Sequence, residues 1–211
     1  MQRINTMHTD SSDKENPTVY PKPVSGRNVA ALLNPRPVVV IGACHDDMLD
    51  FATVAWISPV SHTPPLLVFA LRESSFTFQL LSKSGWCSIN IPSAKHKETV
   101  VYCGNISGAS TDKINRIPYK QLKDVPALQK FPENGEVIPR ELPLLPDALS
   151  LLMAKTLTIS KTGDHMLVTA EIKQAFSRCA FDDAGRTIST DTLLCVQHDL
   201  FATSNTLFTT H

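Results

Sequence analysis

From residue 38 onward the apolar positions fall into short runs, each followed by a polar or proline-rich break, which is the spacing of strands rather than of long helices. Val38 to Ala43 is the first strand candidate. His45-Asp46-Asp47-Met48-Leu49-Asp50 then reads as a short polar connection, and Ala52 to Ile57 resumes the strand pattern, so the two runs predict a hairpin. Pro59 and the pair Pro64-Pro65 bracket a loop before Leu66 to Leu71, whose unbroken apolar character predicts a strand buried on both faces. Ser74 and Ser75 stand where an N-cap belongs; Phe76 to Lys83 then predicts a short helix with Phe76 and Leu80 on one face, ended by Gly85. Trp86 to Ile91 alternates as a strand does, and Ser93 caps a second helix from Ala94 to about Tyr102, closed by Gly104.

Six prolines between residues 118 and 146 (Pro118, Pro126, Pro132, Pro139, Pro143, Pro146) forbid a long helix and predict a wrapped, irregular surface excursion. Beyond it, Ala154 to Ser160 and Met166 to Lys173 predict two strands joined at Lys161-Thr162-Gly163-Asp164, and Leu193 to Gln197 predicts a last one. Upstream, Val29 to Leu33 predicts a short helix or turn stopped by Asn34-Pro35-Arg36-Pro37. Residues 1–26 are polar, contain Pro17, Pro21 and Pro23, and have too little to bury; they are expected to form a flexible arm ahead of one domain, 27–211. Short strands with two helices between them predict a mainly β chain with short helices, arranged as an antiparallel barrel.

Charge narrows the partners. The 20 Lys and Arg residues balance 20 Asp and Glu, so no net field draws the chain to nucleic acid or to an anionic membrane. Apolar runs such as Leu66 to Leu71 fall far short of the roughly 20 residues that span a bilayer, and the polar start has no apolar core of a targeting signal. A cytoplasmic protein is expected, without nucleic-acid or membrane partners. The five cysteines contain no Cys-x-x-Cys and are expected to be reduced, partly buried small residues. No metal is expected: Cys44-His45-Asp46-Asp47 reads as a solvated loop, and Cys195 with His198 lacks a second half.

The chain contains neither Gly-x-Gly-x-x-Gly nor Gly-x-x-x-x-Gly-Lys-Ser/Thr, and neither Gly-x-Ser-x-Gly nor His-Glu-x-x-His. Their absence argues against a serine hydrolase and a zincin. The densest polar cluster among apolar residues is Thr53-Val54-Ala55-Trp56-Ile57-Ser58-Pro59-Val60-Ser61, followed by Arg72, Ser74, Ser75 and Thr77. Hydroxyls beside free amides at a strand end and a helix start form a cradle for a phosphate, with Arg72 supplying the charge. Trp56 suits either a flat ring or the core, Lys113 either a site or solvent, and His165 either a ligand contact or a turn.

In order along the chain stand Asn34-Pro35-Arg36-Pro37-Val38-Val39-Val40, then Thr53 to Ser61 continuing through His62-Thr63-Pro64-Pro65, then Ser107-Gly108 with Asp112-Lys113, then Gly163-Asp164-His165. That series resembles the flavin reductase-like, FMN-binding split-barrel family. The resemblance implies a split β-barrel, a homodimer, and FMN near the dimer interface. It implies that Thr53, Val54, Ala55, Trp56, Ser58, Val60 and Ser61 line the flavin ring and ribityl chain, and that Arg72, Ser74, Ser75 and Thr77 approach the phosphate. Asp112 and Lys113 match the family's Asp-Lys pair, and His165 matches a contact on the nicotinamide side. The implied activity is hydride transfer from NAD(P)H to flavin and onward to an unspecified acceptor. The alternatives are a non-catalytic FMN-binding or sensing protein, or a dimeric split-barrel scaffold that has lost flavin. Two departures stand out: the acidic His45-Asp46-Asp47 turn, where relatives commonly carry a glycine, and the ending Ser204 to His211. A proline-rich excursion that covered the flavin face would restrict a second substrate.

Overall fold

The computed structural model describes residues 23–26, 28–129, 136–179, 191–197 and 200–203, so most of the expected arm and the last eight residues, 204–211, lie outside the described residues. The chain divides into two units, Met1–Leu32 and Leu33–His211. The first contains a one-turn helix, α1 (Asn28–Ala31).

The second unit begins with β1 (Arg36–Pro37) and the hairpin of β2 (Val39–His45) and β3 (Met48–Val54). Only Asp46 and Asp47 turn the hairpin, with Asp46 at φ 51°. Met48 to Asp50, expected in the connection, are strand, because Leu49 and Asp50 pair with Cys44 and Ala43. Next come β4 (Ile57–Ser61), β5 (Leu66–Leu71), α2 (Phe76–Ser84), β6 (Trp86–Ile91) and α3 (Lys97–Asn105). The chain then runs through β7 (Lys120–Gln121), β8 (Pro143–Leu144), β9 (Ser150–Thr162), β10 (His165–Ser177), β11 (Leu193–Gln197) and β12 (Leu200–Thr203). No helix among the described residues is long and apolar enough to cross a membrane.

Seven strands form one antiparallel sheet in the order β3-β2-β6-β9-β10-β5-β4. Because β3 also comes into contact with β5, the sheet curls around a single core. Val39, Ile41 and Ala43 of β2, Phe69 and Leu71 of β5, Ala154 of β9, and Val168 and Ala170 of β10 fill its inside. Helix α2 adds Phe78, Leu80 and Leu81 to the same core. Its start is capped by Ser75, whose hydroxyl accepts from the Phe78 amide at 3.4 Å, and it ends at Gly85, φ 70°.

The alternate residues of β2 face outward and are buried as well. Val38, ahead of the strand, and Val40 pack on Val100 and Cys103 of α3, and Cys44 packs on Leu122, Ile138, Leu142 and Leu144. Among its described residues, the proline-rich stretch is therefore not only a surface excursion. It forms a second layer on the back of the sheet, with Leu142, Leu144 and Leu145 at most 2% exposed. Prolines stop a helix, but they do not stop the leucines between them from seeking apolar cover. The layer is pinned by polar contacts: Ser88 Oγ donates to the Pro143 carbonyl, and the Leu145 amide donates to Asn90 Oδ1 at 2.8 Å. Gly42 lies under this contact, where a Cβ would meet the Pro143 oxygen at 2.7 Å.

Other differences have local causes. Pro59 sits inside β4 rather than bracketing a loop, which is tolerated because β4 is a sheet edge and bulges there. β5 alternates between buried and half-buried residues instead of being buried throughout. The second helix starts as a 3-10 turn, Ala94–His96, and α3 passes through Gly104 to Asn105; Gly104 lies against Thr53, 3.4 Å from where its Cβ would be. β9 and β10 extend past the apolar runs at both ends, and β12 continues after the strand expected to be last.

Candidate functional site

Where β3, the β5–α2 connection and the end of α3 converge, a cavity of about 490 Å³ opens toward His165 at the head of β10. Its floor is Asp50, Ala52 and Thr53. One wall is Arg72 with Ser74 to Thr77, and the facing wall is Cys103 to Gly108. Phe76 and Thr77 occupy the first turn of α2, where backbone amides have no intrahelical acceptor, and Ser75 takes only the Phe78 amide. Arg72, Ser74 and those amides give the cavity a cationic, donor-rich end.

Of the residues expected from sequence, Thr53, Arg72, Ser74, Ser75, Thr77, Lys113 and His165 line this cavity. Besides Ser75, which caps α2, and His165, which meets Asp164, three of them are already engaged. Thr53 donates its hydroxyl proton to the Val100 carbonyl at 2.5 Å. Thr77 donates to Asp50 Oδ2 at 2.6 Å. Lys113, 2% exposed, donates to the carbonyls of Phe51 and Cys103 and stands 3.3 Å from Asp50 Oδ1. The buried Lys113 is therefore neither a solvated lysine nor an open cation, and the buried Thr77 hydroxyl has its proton committed to Asp50.

The remaining residues fall elsewhere. Val54 turns its side chain into the core at 3% exposure and does not line the cavity. Ala55, Trp56, Ser58, Val60 and Ser61 run along β4 and its approach, outside the cavity wall. Trp56 is 42% exposed and so is not core; its ring lies 4.7 Å from that of His165, with the Arg36 guanidinium 5.9 Å from its centroid. Val60 is 54% exposed, and Ser58 donates only to the Pro59 carbonyl next to it. Asp112 is exposed and accepts from Asn115, away from the cavity. His165 Nδ1 lies 2.8 Å from Asp164 Oδ1, and this contact holds the Asp164 carboxyl below the usual carboxylate range.

Sequence reading missed Asp50 and most of the Cys103–Gly108 wall. Asp50 looked like part of a polar turn, and only the strand register places it on the floor. A larger cavity, about 730 Å³, lies between the second layer and the ends of β9 and β10, and its walls are mainly apolar: Val125, Leu128, Leu144, Leu151 and Phe176. It contains none of the expected residues. The smaller cavity is preferred because its polar groups converge on one end.

Comparison with known proteins identifies the fold and the family. A curated but uncharacterized protein of Archaeoglobus fulgidus is 25% identical over 131 residues, covering 62% of this chain and 67% of that protein. The chain spans about half the length of two further curated relatives, at 51% and 50%. Among solved structures, an FMN-binding protein from Thermus thermophilus with bound 1-cyclohex-2-enone superposes with a TM-score of 0.72 at 21% identity, over 91% of this chain and 98% of that one. The NADH:FAD oxidoreductase SgcE6 of Streptomyces globisporus does so with a TM-score of 0.64 at 15% identity, over 87% and 98%. These likenesses establish the split-barrel fold. With residues 32–194 matching the flavin reductase like domain over most of its length, the chain belongs to that family.

Proposed function

We propose that the 490 Å³ cavity holds FMN and that the protein is an oxidoreductase passing a hydride from NAD(P)H to that flavin and on to an acceptor. The observation that carries this reading is the donor-rich end, with Arg72, Ser74 and Ser75 beside the open amides of α2, which suits a phosphate dianion. Beneath that end the Thr77 hydroxyl and the Asp50 carboxylate bond each other and are buried, which supports the first turn of α2. FMN, when bound, supplies the hydride-accepting ring, so the protein is left to orient it and exclude water.

Arg72 and the α2 start anchor the tail, while Trp56 and His165 form a rim that a nicotinamide contacts. Ser58, Val60 and Ser61 lie on the exposed edge of the sheet and reach the flavin of a second copy, which makes the working unit a homodimer. The sequence reading of a cytoplasmic protein stands as part of the same proposal.

The test is spectroscopic. Protein loaded with FMN is expected to show the oxidised-flavin band near ~450 nm and to lose it on anaerobic addition of NADH or NADPH. Yellow protein that does not bleach would leave only a flavin binder, and protein that stays colourless with excess FMN would overturn the reading.

A further inference from the structure

We propose that Asp50 and Lys113 are positioning residues of this site: together they set the distance between its two walls. The inference rests on the FMN reading above. Lys113 follows the Cys103–Gly108 wall in sequence, and its ammonium bonds the Cys103 carbonyl at 3.2 Å and the Phe51 carbonyl of β3. Asp50 lies 3.3 Å from that ammonium through Oδ1 and takes the Thr77 hydroxyl on Oδ2. One buried pair thus reaches the floor, the first turn of α2 and the end of α3. Each wall is tied to it once.

Two details separate this arrangement from ordinary packing. Asp50 is 2% exposed, and among the described residues its Oδ1 has the Lys113 ammonium at 3.3 Å as its ion-pair partner and no hydrogen bond. Gly108 rests directly on it: a Cβ there would meet Oδ1 at 2.6 Å and the Phe76 ring at 3.0 Å. The loop can approach α2 this closely only because residue 108 has no side chain, and the carboxylate sets how close. A buried ion pair is also a poor source of stability, since neutral groups of similar volume hold a core at least as well. Holding a geometry accounts for its presence better than stability does.

The test separates binding from folding. Wild type, the double variant Asp50→Asn with Lys113→Met, and Gly108→Ala are compared by thermal melting without cofactor and by FMN titration. The double variant leaves no unpaired buried charge and is expected to melt near the wild-type temperature. Its FMN affinity is expected to fall about tenfold or more, on the scale of one charge-assisted hydrogen bond. Gly108→Ala retains both charges but displaces the loop, and it is expected to weaken FMN as well. If FMN affinity follows melting temperature across the set, or if the double variant binds FMN as wild type does, the pair is merely structural and the proposal falls. Should the double variant fail to fold, unchanged FMN affinity in Gly108→Ala overturns the proposal by itself. Wild-type protein that takes up no FMN is a different result: it defeats the functional reading first, and this inference with it.

Discussion

Burial pushes the Cys87 and Cys103 thiols from about 9.0 up to about 12, and Cys44, with the nearby Glu141 adding to the effect, up to about 11. These buried thiols stay neutral in the native protein at pH values where the unfolded chain ionises. Their contribution to stability is therefore complete below pH 9 and is lost as pH climbs toward 12, by about 1.4 kcal/mol per pH unit for each thiol. Urea unfolding at pH 8 and at pH 10 is expected to show the loss, and iodoacetamide at pH 8 is expected to spare Cys87 and Cys103 until the protein unfolds. At the cofactor, Arg72→Ala is expected to weaken FMN by about 2 kcal/mol, checked by fluorescence titration. Residue types in the site were largely legible from sequence; their commitments were not. Thr77 meets Asp50 across 27 positions, Thr53 meets Val100 across 47, and Lys113 meets Phe51 across 62, so local pattern shows a hydroxyl or an amine and not what already holds it.

The elements read best are those whose ends are written locally. Helix α2 has its serine at one end and its glycine at the other, and the sequence expectation of Phe76 to Lys83 differs from Phe76–Ser84 by one residue. Ser75→Ala is expected to cost about 1 kcal/mol of stability, read by denaturant unfolding, because the Phe78 amide loses its acceptor; Ser74→Ala is not, since Ser74 makes no cap bond. The elements read less well depend on neighbours far along the chain. Met48 to Asp50 look like turn residues until β2 pairs with them, and Pro59 looks like a terminator until β4 is seen to be an edge. Gly104 would end an isolated helix, yet here α3 continues through it to Asn105.

For the molecule as a whole, the barrel was legible because its strand runs and breaks are regular, while the second layer was not. A count of prolines carries no information about where the leucines between them go. Leu142 has no exposed surface, and Leu142→Ala is expected to cost about 2 to 5 kcal/mol, measured by urea unfolding, far more than removal of a surface leucine would. The second layer also has a kinetic consequence. β2 is paired along both edges, with β3 and with β6, and walled on both faces, by the barrel interior and by the layer behind it. Its backbone protons have no local route to deuterium. They are expected to be among the last in the chain to exchange, at a rate that reports the opening of the entire domain.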